Sequence, residues 1–163
     1  MATFRSLAAD DLALLRQLAG ADALEDLVPV AAGIENSNWF LTLCRHGQRL
    51  PCVLTLVEAV PEDELPFFIA LADTLAEADL PVPVALRLAD GRRQCVLQDR
   101  PALLVPRLPG RHVDQPDETL CRAVGTLLAQ LHRAAARCPL VREHPDHRWW
   151  PAAFAWLAPA LAQ

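Results

Sequence analysis

The sequence predicts an α+β domain in which helices flank a largely antiparallel sheet. Hydrophobic residues make up 53% and charged residues 21% of the 163 positions, which is typical of a folded globular chain. The predicted order of elements is helix, strands, helix, strands, short linker and helices. The links between the predicted strands are too short for parallel crossovers, so we expect mostly antiparallel pairing.

The first predicted elements are a helix and a hairpin. Asp10 and Asp11 are cap candidates before leucines at helical spacing, and this helix should end near Gly20. Residues 23–32 are predicted to be an acidic stretch that becomes extended from residue 28. Two apolar, β-prone runs at 39–44 and 51–58 then predict a hairpin with its turn at 45–48.

The middle of the chain predicts a second helix and more strands. An acidic first turn at 61–64 opens the helix, whose apolar residues recur at helical offsets up to residue 76. Asp90-Gly91 predicts a tight turn between strands at 84–88 and 94–98. A further strand is predicted at 102–105.

A Pro- and Gly-containing segment at 106–110 breaks the last strand and is the predicted hinge between two lobes. We therefore expect one lobe over residues 1–106, and a hinge with the start of a helical lobe over 107–163. The second part begins with a helix from about 119 to 136. Its apolar face consists of Leu120, Val124, Leu127, Leu128 and Leu131.

The best functional clue is a polar loop between two strand-like runs. It contains Gly33 followed by Asn36, Ser37 and Asn38. A glycine beside small polar residues at a bend lets main-chain N–H groups approach an anion, as in nucleotide-binding loops. The alternative is an ordinary hairpin turn.

Composition excludes several functions. The net charge of −5 argues against general nucleic-acid binding, and all basic residues are Arg, so no lysine-dependent mechanism applies. The five cysteines form no CxxC pair, which argues against a disulfide framework or zinc site. There is neither a signal segment nor an apolar run of membrane length, so we expect a cytoplasmic protein.

Several motifs in a shared order resemble the homoserine kinase branch of the aminoglycoside/choline kinase superfamily, whose small lobe is protein-kinase-like. Each motif is weak alone, but their order and spacing are specific. The likeness covers nearly the whole chain and fades after about residue 139. The matching segments are 33–40, 53–58, 63–68, 80–83, 101–110 and 124–132.

The resemblance implies transfer of the ATP γ-phosphate to the hydroxyl of L-homoserine, a step of threonine synthesis. ATP would lie between the lobes with Mg²⁺, whose ligands are in the large lobe and not in this chain. The small-molecule partners would be ATP and L-homoserine. By this likeness the residues that bind phosphate are Gly33, Asn36, Ser37 and Asn38, with Thr55 at the usual lysine position and Val105 and Arg107 on the adenine side.

The catalytic pattern H-x-D-x-x-x-x-N of the family is missing. His144 and Asp146 begin like it, but Pro151 stands where Asn is needed, so we expect no catalytic role there. The catalytic residues stay unknown, and we interpret the chain as truncated before that motif. Glu64, the candidate helix acid, has no lysine to pair with and is predicted to be a solvated carboxylate.

Two alternatives to homoserine phosphorylation stay open. One is a phosphotransferase for another small alcohol or amine, such as choline or an aminoglycoside. The other is a non-catalytic nucleotide-binding or dimerising module. Aromatic residues at 149–156 are expected to pack against a large lobe, or to mediate self-association if exposed.

Overall fold

A computed structural model describes residues 5–30 and 35–142. Its described part contains a five-stranded sheet in the order β1-β2-β3-β5-β4, with every neighbouring pair antiparallel. The strands are β1 (Ala23–Pro29), β2 (Ser37–Arg45), β3 (Gln48–Leu56), β4 (Cys95–Leu97) and β5 (Arg100–Pro106). The helices are α1 (Ala9–Ala19), α2 (Leu65–Glu77) and α3 (Glu118–Ala135). The predicted α+β class is confirmed.

The β2–β3 hairpin is the centre of the sheet and agrees with the prediction. Arg45 pairs with Gln48 at its end, and the two turn residues, His46 and Gly47, both have positive φ (51° and 74°). Positive φ at both turn positions gives a twist that matches the strands, and glycine adopts it without strain. The hairpin is longer than the predicted runs because the polar residues near the turn also pair.

Most of the edge strand β1 was predicted as an acidic stretch, with extended backbone only from residue 28. Its acidic residues are neutralised across the sheet, since Arg49 pairs with both Glu25 and Asp26. The Thr42 hydroxyl also donates to Asp26 Oδ2 at 2.9 Å. Asp26 has φ 55° within a bulge between Glu25 and Val28, and charges and bulges are common devices on sheet edges.

The prediction of a strand at 84–88 was wrong. Those residues are not in a strand, and they approach β5 through one main-chain hydrogen bond, from Leu86 N to Leu104 O at 2.8 Å. The Asp-Gly turn does form, with Leu88 N donating to Arg92 O at 2.8 Å. Pro81 and Pro83 lack the N–H group that a longer ladder would need.

The two faces of the sheet differ in burial. One face packs under α1 and forms the core, and its residues alternate along the strands with half-exposed ones. The fully covered set includes Leu15 of α1 and, on the sheet, Trp39, Leu41, Leu43, Cys52, Leu54, Leu56, Ala102 and Leu104. The other face stays open to a groove.

Helices α2 and α3 meet near their C-terminal ends. Leu75, Leu80 and Ala134 form a small second core there, with Leu71 and Leu131 against it. The predicted apolar face of α3 is therefore covered only in part, and Val124, Leu127 and Leu128 are exposed among the described residues. None of the helices in residues 5–30 and 35–142 has the length and apolar character needed to cross a membrane.

Candidate functional site

The half-exposed face of the sheet presents two rows of residues across three strands. Antiparallel pairing sets Phe40 opposite Val53, and Val53 opposite Val105. The neighbouring row sets Asn38 opposite Thr55. All five side chains are half-buried, whereas the residues between them on the strands are fully buried. The alternation separates a core face from a face available to a ligand.

A groove of about 490 Å³ lies over the apolar row. Its floor is Phe40, Val53 and Val105, and Thr55 and Arg107 stand at its sides. A volume of several hundred Å³ with apolar lining and few polar groups is typical of small-molecule sites. The structure thus brings three of the predicted residues, Thr55, Val105 and Arg107, to one groove. The further lining residues are Pro83, Pro106, Leu108, Gly110, Arg111 and His112.

Arg107 is positioned by its main chain and by an aromatic ring. Its N–H donates to Pro51 O at 2.9 Å, which continues the β3–β5 pairing beyond the end of β5. Its guanidinium carbon lies 3.9 Å from the centroid of the Phe40 ring, a cation–π contact. A planar cation therefore covers one aromatic residue of the groove floor.

The described end of the polar loop, residues 35–36, leads into β2, whose Phe40 lines the groove. Pro29 pairs with Trp39, and Val30 N donates to Asn38 O at 2.9 Å, so both arms of the loop are fixed to the sheet. The loop rejoins the sheet at Ser37, three residues before Phe40. Gly33 lies outside the described residues, so its predicted phosphate contact stays a prediction.

The three polar residues after Gly33 are held by hydrogen bonds inside the protein. Asn36 Oδ1 accepts from Glu58 N at 2.9 Å. The Ser37 hydroxyl is buried on the core side and donates to Glu58 Oε1 at 2.8 Å. Asn38 Oδ1 accepts from the Thr55 hydroxyl at 2.7 Å, and its Nδ2 donates to Asn36 O at 3.2 Å. Any phosphate contact from Ser37 would therefore come from its main chain.

Comparison with known proteins identifies the family of the chain. Residues 26–163 match the family model described as the phosphotransferase enzyme family. The chain belongs to the phosphotransferase enzyme family. The family resemblance stated from the motifs is thereby confirmed.

Three relatives of this phosphotransferase chain are named homoserine kinase. It is similar to a homoserine kinase of Pseudomonas aeruginosa at 46% identity, over 86% of this chain and 47% of that protein. A homoserine kinase of Cupriavidus taiwanensis is 39% identical over 92% of this chain and 45% of its own length. One of Neisseria meningitidis is 39% identical over 90% and 48%. The chain spans about half the length of the curated relatives it matches.

Sequence reasoning missed one residue that contacts the candidate loop. Glu58 follows the buried Val57 at the end of the β3 hairpin arm, and its side chain is only 15% exposed. It contacts Asn36 and Ser37, and its Oε1 lies 3.7 Å from Arg5 Nε. A single carboxylate directly after a run of apolar strand residues was the available signal.

Glu64 does not behave as predicted. It pairs with Arg142, so it is not the solvated carboxylate that we expected. The Arg142 guanidinium also lies 5.2 Å from the Phe68 ring centroid on α2. Glu64 is not among the residues that line the groove. Its role in this phosphotransferase chain is to hold the segment after α3 against the start of α2.

No Cys, Asp or Glu is among the described residues that line the groove. Burial raises the pKa of the Cys52 thiol and of the Cys95 thiol to about 11 each, so both stay protonated in the core. All five cysteines are free. In residues 5–30 and 35–142 no three His, Cys, Asp or Glu side chains cluster as metal ligands would. His144, Asp146 and the aromatic segment at 149–156 lie outside the described residues.

Proposed function

We propose that the protein containing this chain transfers the ATP γ-phosphate to the hydroxyl of L-homoserine, a step of threonine synthesis. The observation that carries the proposal is an apolar groove beside an anchored polar loop, in a phosphotransferase-family chain 46% identical to a homoserine kinase. We further propose that residues 1–106 are the nucleotide-binding lobe. Residues 107–163 would be the hinge and the start of the large lobe, and the protein would work in the cytoplasm.

The groove supports an adenine site. Adenine is flat and apolar on both faces, and Val53 and Val105 offer a flat apolar surface on adjacent strands. Burial of that surface stabilises the base by roughly 25 cal/mol for each Å² removed from water. Arg107 stacks on Phe40 and borders the same surface, so its planar guanidinium would also contact the base.

The loop supports a phosphate site next to the adenine site. A glycine-containing bend can present main-chain N–H groups to the phosphate oxygens, and Gly33 would allow the closest approach. Thr55 stands where many relatives in the wider superfamily carry a cation, and its hydroxyl carries no charge. The phosphate charge would therefore be balanced by loop N–H groups and by Mg²⁺.

The described residues that line the groove include no Asp or Glu. Mg²⁺ prefers carboxylate oxygens, so this face of the chain does not fit as the metal's ligand set. We propose, as the family resemblance implies, that the carboxylates for Mg²⁺ and the base for the homoserine hydroxyl belong to the large lobe. This chain's own residues would bind and orient ATP.

Two measurements test the proposal. The first is calorimetric titration of the chain with ATP, for which we expect one site per chain and weaker binding of GTP. The second joins residues 1–163 to the C-terminal half of the Pseudomonas aeruginosa relative and measures ADP release with L-homoserine. ADP release that depends on homoserine supports the proposal.

The alternatives give different outcomes in the same assays. ADP release with choline or an aminoglycoside but not with homoserine would assign another substrate class. ATP binding by the chain at defined stoichiometry, with no turnover by the fusion for any acceptor, would favour a non-catalytic module. Absence of ATP binding by a folded chain would refute the proposal.

A further inference from the structure

We propose that Glu58 is a positioning residue that holds residues 36–38 in the arrangement needed for phosphate binding, with Arg5 as its second partner. This inference rests on the proposed function, because it assumes that the adjacent loop binds phosphate. Glu58 would not touch ATP. It would act through the main chain and side chains of Asn36 and Ser37.

Two hydrogen bonds tie one arm of the loop to residue 58. Glu58 Oε1 accepts from the Ser37 hydroxyl at 2.8 Å, and Glu58 N donates to Asn36 Oδ1 at 2.9 Å. A weaker bond from Ala59 N to Asn36 Oδ1, at 3.4 Å, reinforces the second contact. Asn36 and Ser37 are therefore held by Glu58 and Ala59, the second and third residues after β3.

Arg5 in the N-terminal segment adds to these contacts of Glu58 with Asn36 and Ser37, and we call the whole set the Glu58 anchor. Arg5 N donates to the Ser37 hydroxyl oxygen at 3.3 Å, and Arg5 Nε lies 3.7 Å from Glu58 Oε1. The Ser37 hydroxyl thus both donates and accepts at a position that is 1% exposed to solvent. Removal of the carboxylate would leave a buried hydroxyl without its acceptor, which is costly because water cannot replace it.

The Glu58 anchor holds the loop residues and does not hold the groove floor. Val53 and Val105 are held by main-chain pairing within the sheet, which Glu58 does not join. Thr55 fixes Asn38 independently through its hydroxyl. Loss of the Glu58 carboxylate should therefore weaken binding of the phosphates while the adenine surface stays intact.

Comparison of ATP with adenosine separates a positioning role from a general structural one. Adenosine has the same base and sugar but no phosphates. For Glu58→Ala we expect about tenfold weaker ATP binding, the equivalent of one charge-assisted hydrogen bond. The affinity of Glu58→Ala for adenosine should stay within about twofold of the wild-type value. Glu58→Gln keeps an acceptor oxygen and should lose less than Glu58→Ala.

The experiment is calorimetric titration of the full chain and its variants with ATP and with adenosine. Glu77→Ala, which removes an exposed carboxylate at the C-terminal end of α2, is the matched control and should bind both ligands normally. Equal losses for ATP and adenosine in Glu58→Ala, or unchanged ATP binding, would overturn the inference. If Glu58→Ala fails to fold, Ser37→Ala removes the same bond from its other end, and the same ATP-selective loss is required.

Amide hydrogen exchange distinguishes failure of this inference from failure of the proposed function. If the wild-type chain binds no ATP, the proposed function fails, but the anchor can still be tested without ligand. Glu58→Ala should then speed exchange at residues 36–38 by about tenfold and leave β5 unchanged. Unchanged exchange at residues 36–38 would overturn the anchor itself.

Discussion

Two neighbouring residues on β3, Val53 and Leu54, test whether the faces of the sheet have separate roles. Leu54 is 0% exposed and pairs with Trp39 and Leu104, which are 2% and 3% exposed. Leu54→Ala removes three carbon groups, a loss of about 2.4 kcal/mol at ~0.8 kcal/mol for each. The strand pairing limits collapse around the gap, so a cavity raises the expected cost to about 3–5 kcal/mol.

Val53→Ala should have the opposite profile. Val53 is half-buried, so loss of two methyl groups should cost only about 0.8 kcal/mol of unfolding free energy. The same apolar contact would be lost to the adenine base, which corresponds to about fourfold weaker ATP binding. Val96→Ala, at an exposed position of β4, is the matched control and should leave ATP binding unchanged.

The assay combines urea unfolding, followed by far-ultraviolet circular dichroism, with ATP titration of the folded protein. Leu54→Ala should lower the unfolding free energy by the larger amount without a change in the ATP affinity of folded molecules. Val53→Ala should weaken ATP binding at nearly unchanged stability. Equal destabilisation by the two variants, or no ATP effect for Val53→Ala, would refute the assignment of a core face and a ligand face.

Four further predictions concern individual residues. Gly33→Val should weaken ATP binding by at least about tenfold, because a side chain would block the approach of main-chain N–H groups; calorimetry with an unchanged affinity would contradict the loop assignment. Asp117→Ala should lower the unfolding free energy by about 1 kcal/mol, since its carboxylate caps α3 by accepting from a first-turn N–H at 2.7 Å; no change in the urea midpoint would show that the cap contributes nothing. Cys52 and Cys95, with pKa raised by burial to about 11 from 9.0, should react with a thiol reagent at pH 8 far more slowly than the exposed Cys121. Because both thiols ionise more readily when unfolded, stability should be retained below pH 9 and fall as the pH rises from 9 to about 11; a flat profile would contradict their burial.

The sequence predicted those elements in which local and tertiary preferences agree. The β2–β3 hairpin combines β-prone runs with a Gly-containing turn, so pattern and turn chemistry indicate the same structure. Helix α2 directly follows an acidic turn at Glu62–Glu64 and has apolar residues at helical spacing. The family resemblance depended on the order and spacing of several motifs, each of which was weak alone.

The sequence could not predict features that depend on partners distant in the chain. The acidic residues of β1 had the pattern of a surface segment. Their partner, Arg49, is 24 positions from Glu25 and 23 from Asp26, so the local sequence did not indicate the pairing. The segment 84–88 has the composition of a strand, but it follows Pro81 and Pro83 and makes a single main-chain hydrogen bond to β5, so it stays irregular.

At the site, residue types were predictable but their contacts were not. Asn36 and Ser37 were selected as phosphate ligands because they are small and polar. The structure engages their side chains with Glu58, 22 and 21 positions away, a contact that no local sequence pattern indicates. Their contact with phosphate stays a prediction.

The most direct test of the account is nuclear magnetic resonance of the chain with a non-hydrolysable ATP analogue and labelled valine methyl groups. The account predicts shifts of the Val53 and Val105 methyl signals and cross-relaxation between these methyls and the adenine protons, with the Val96 signal unchanged. Adenine contacts at Val96, or a bound analogue with no effect on Val53 and Val105, would contradict the claim that the half-exposed face of the sheet binds the nucleotide.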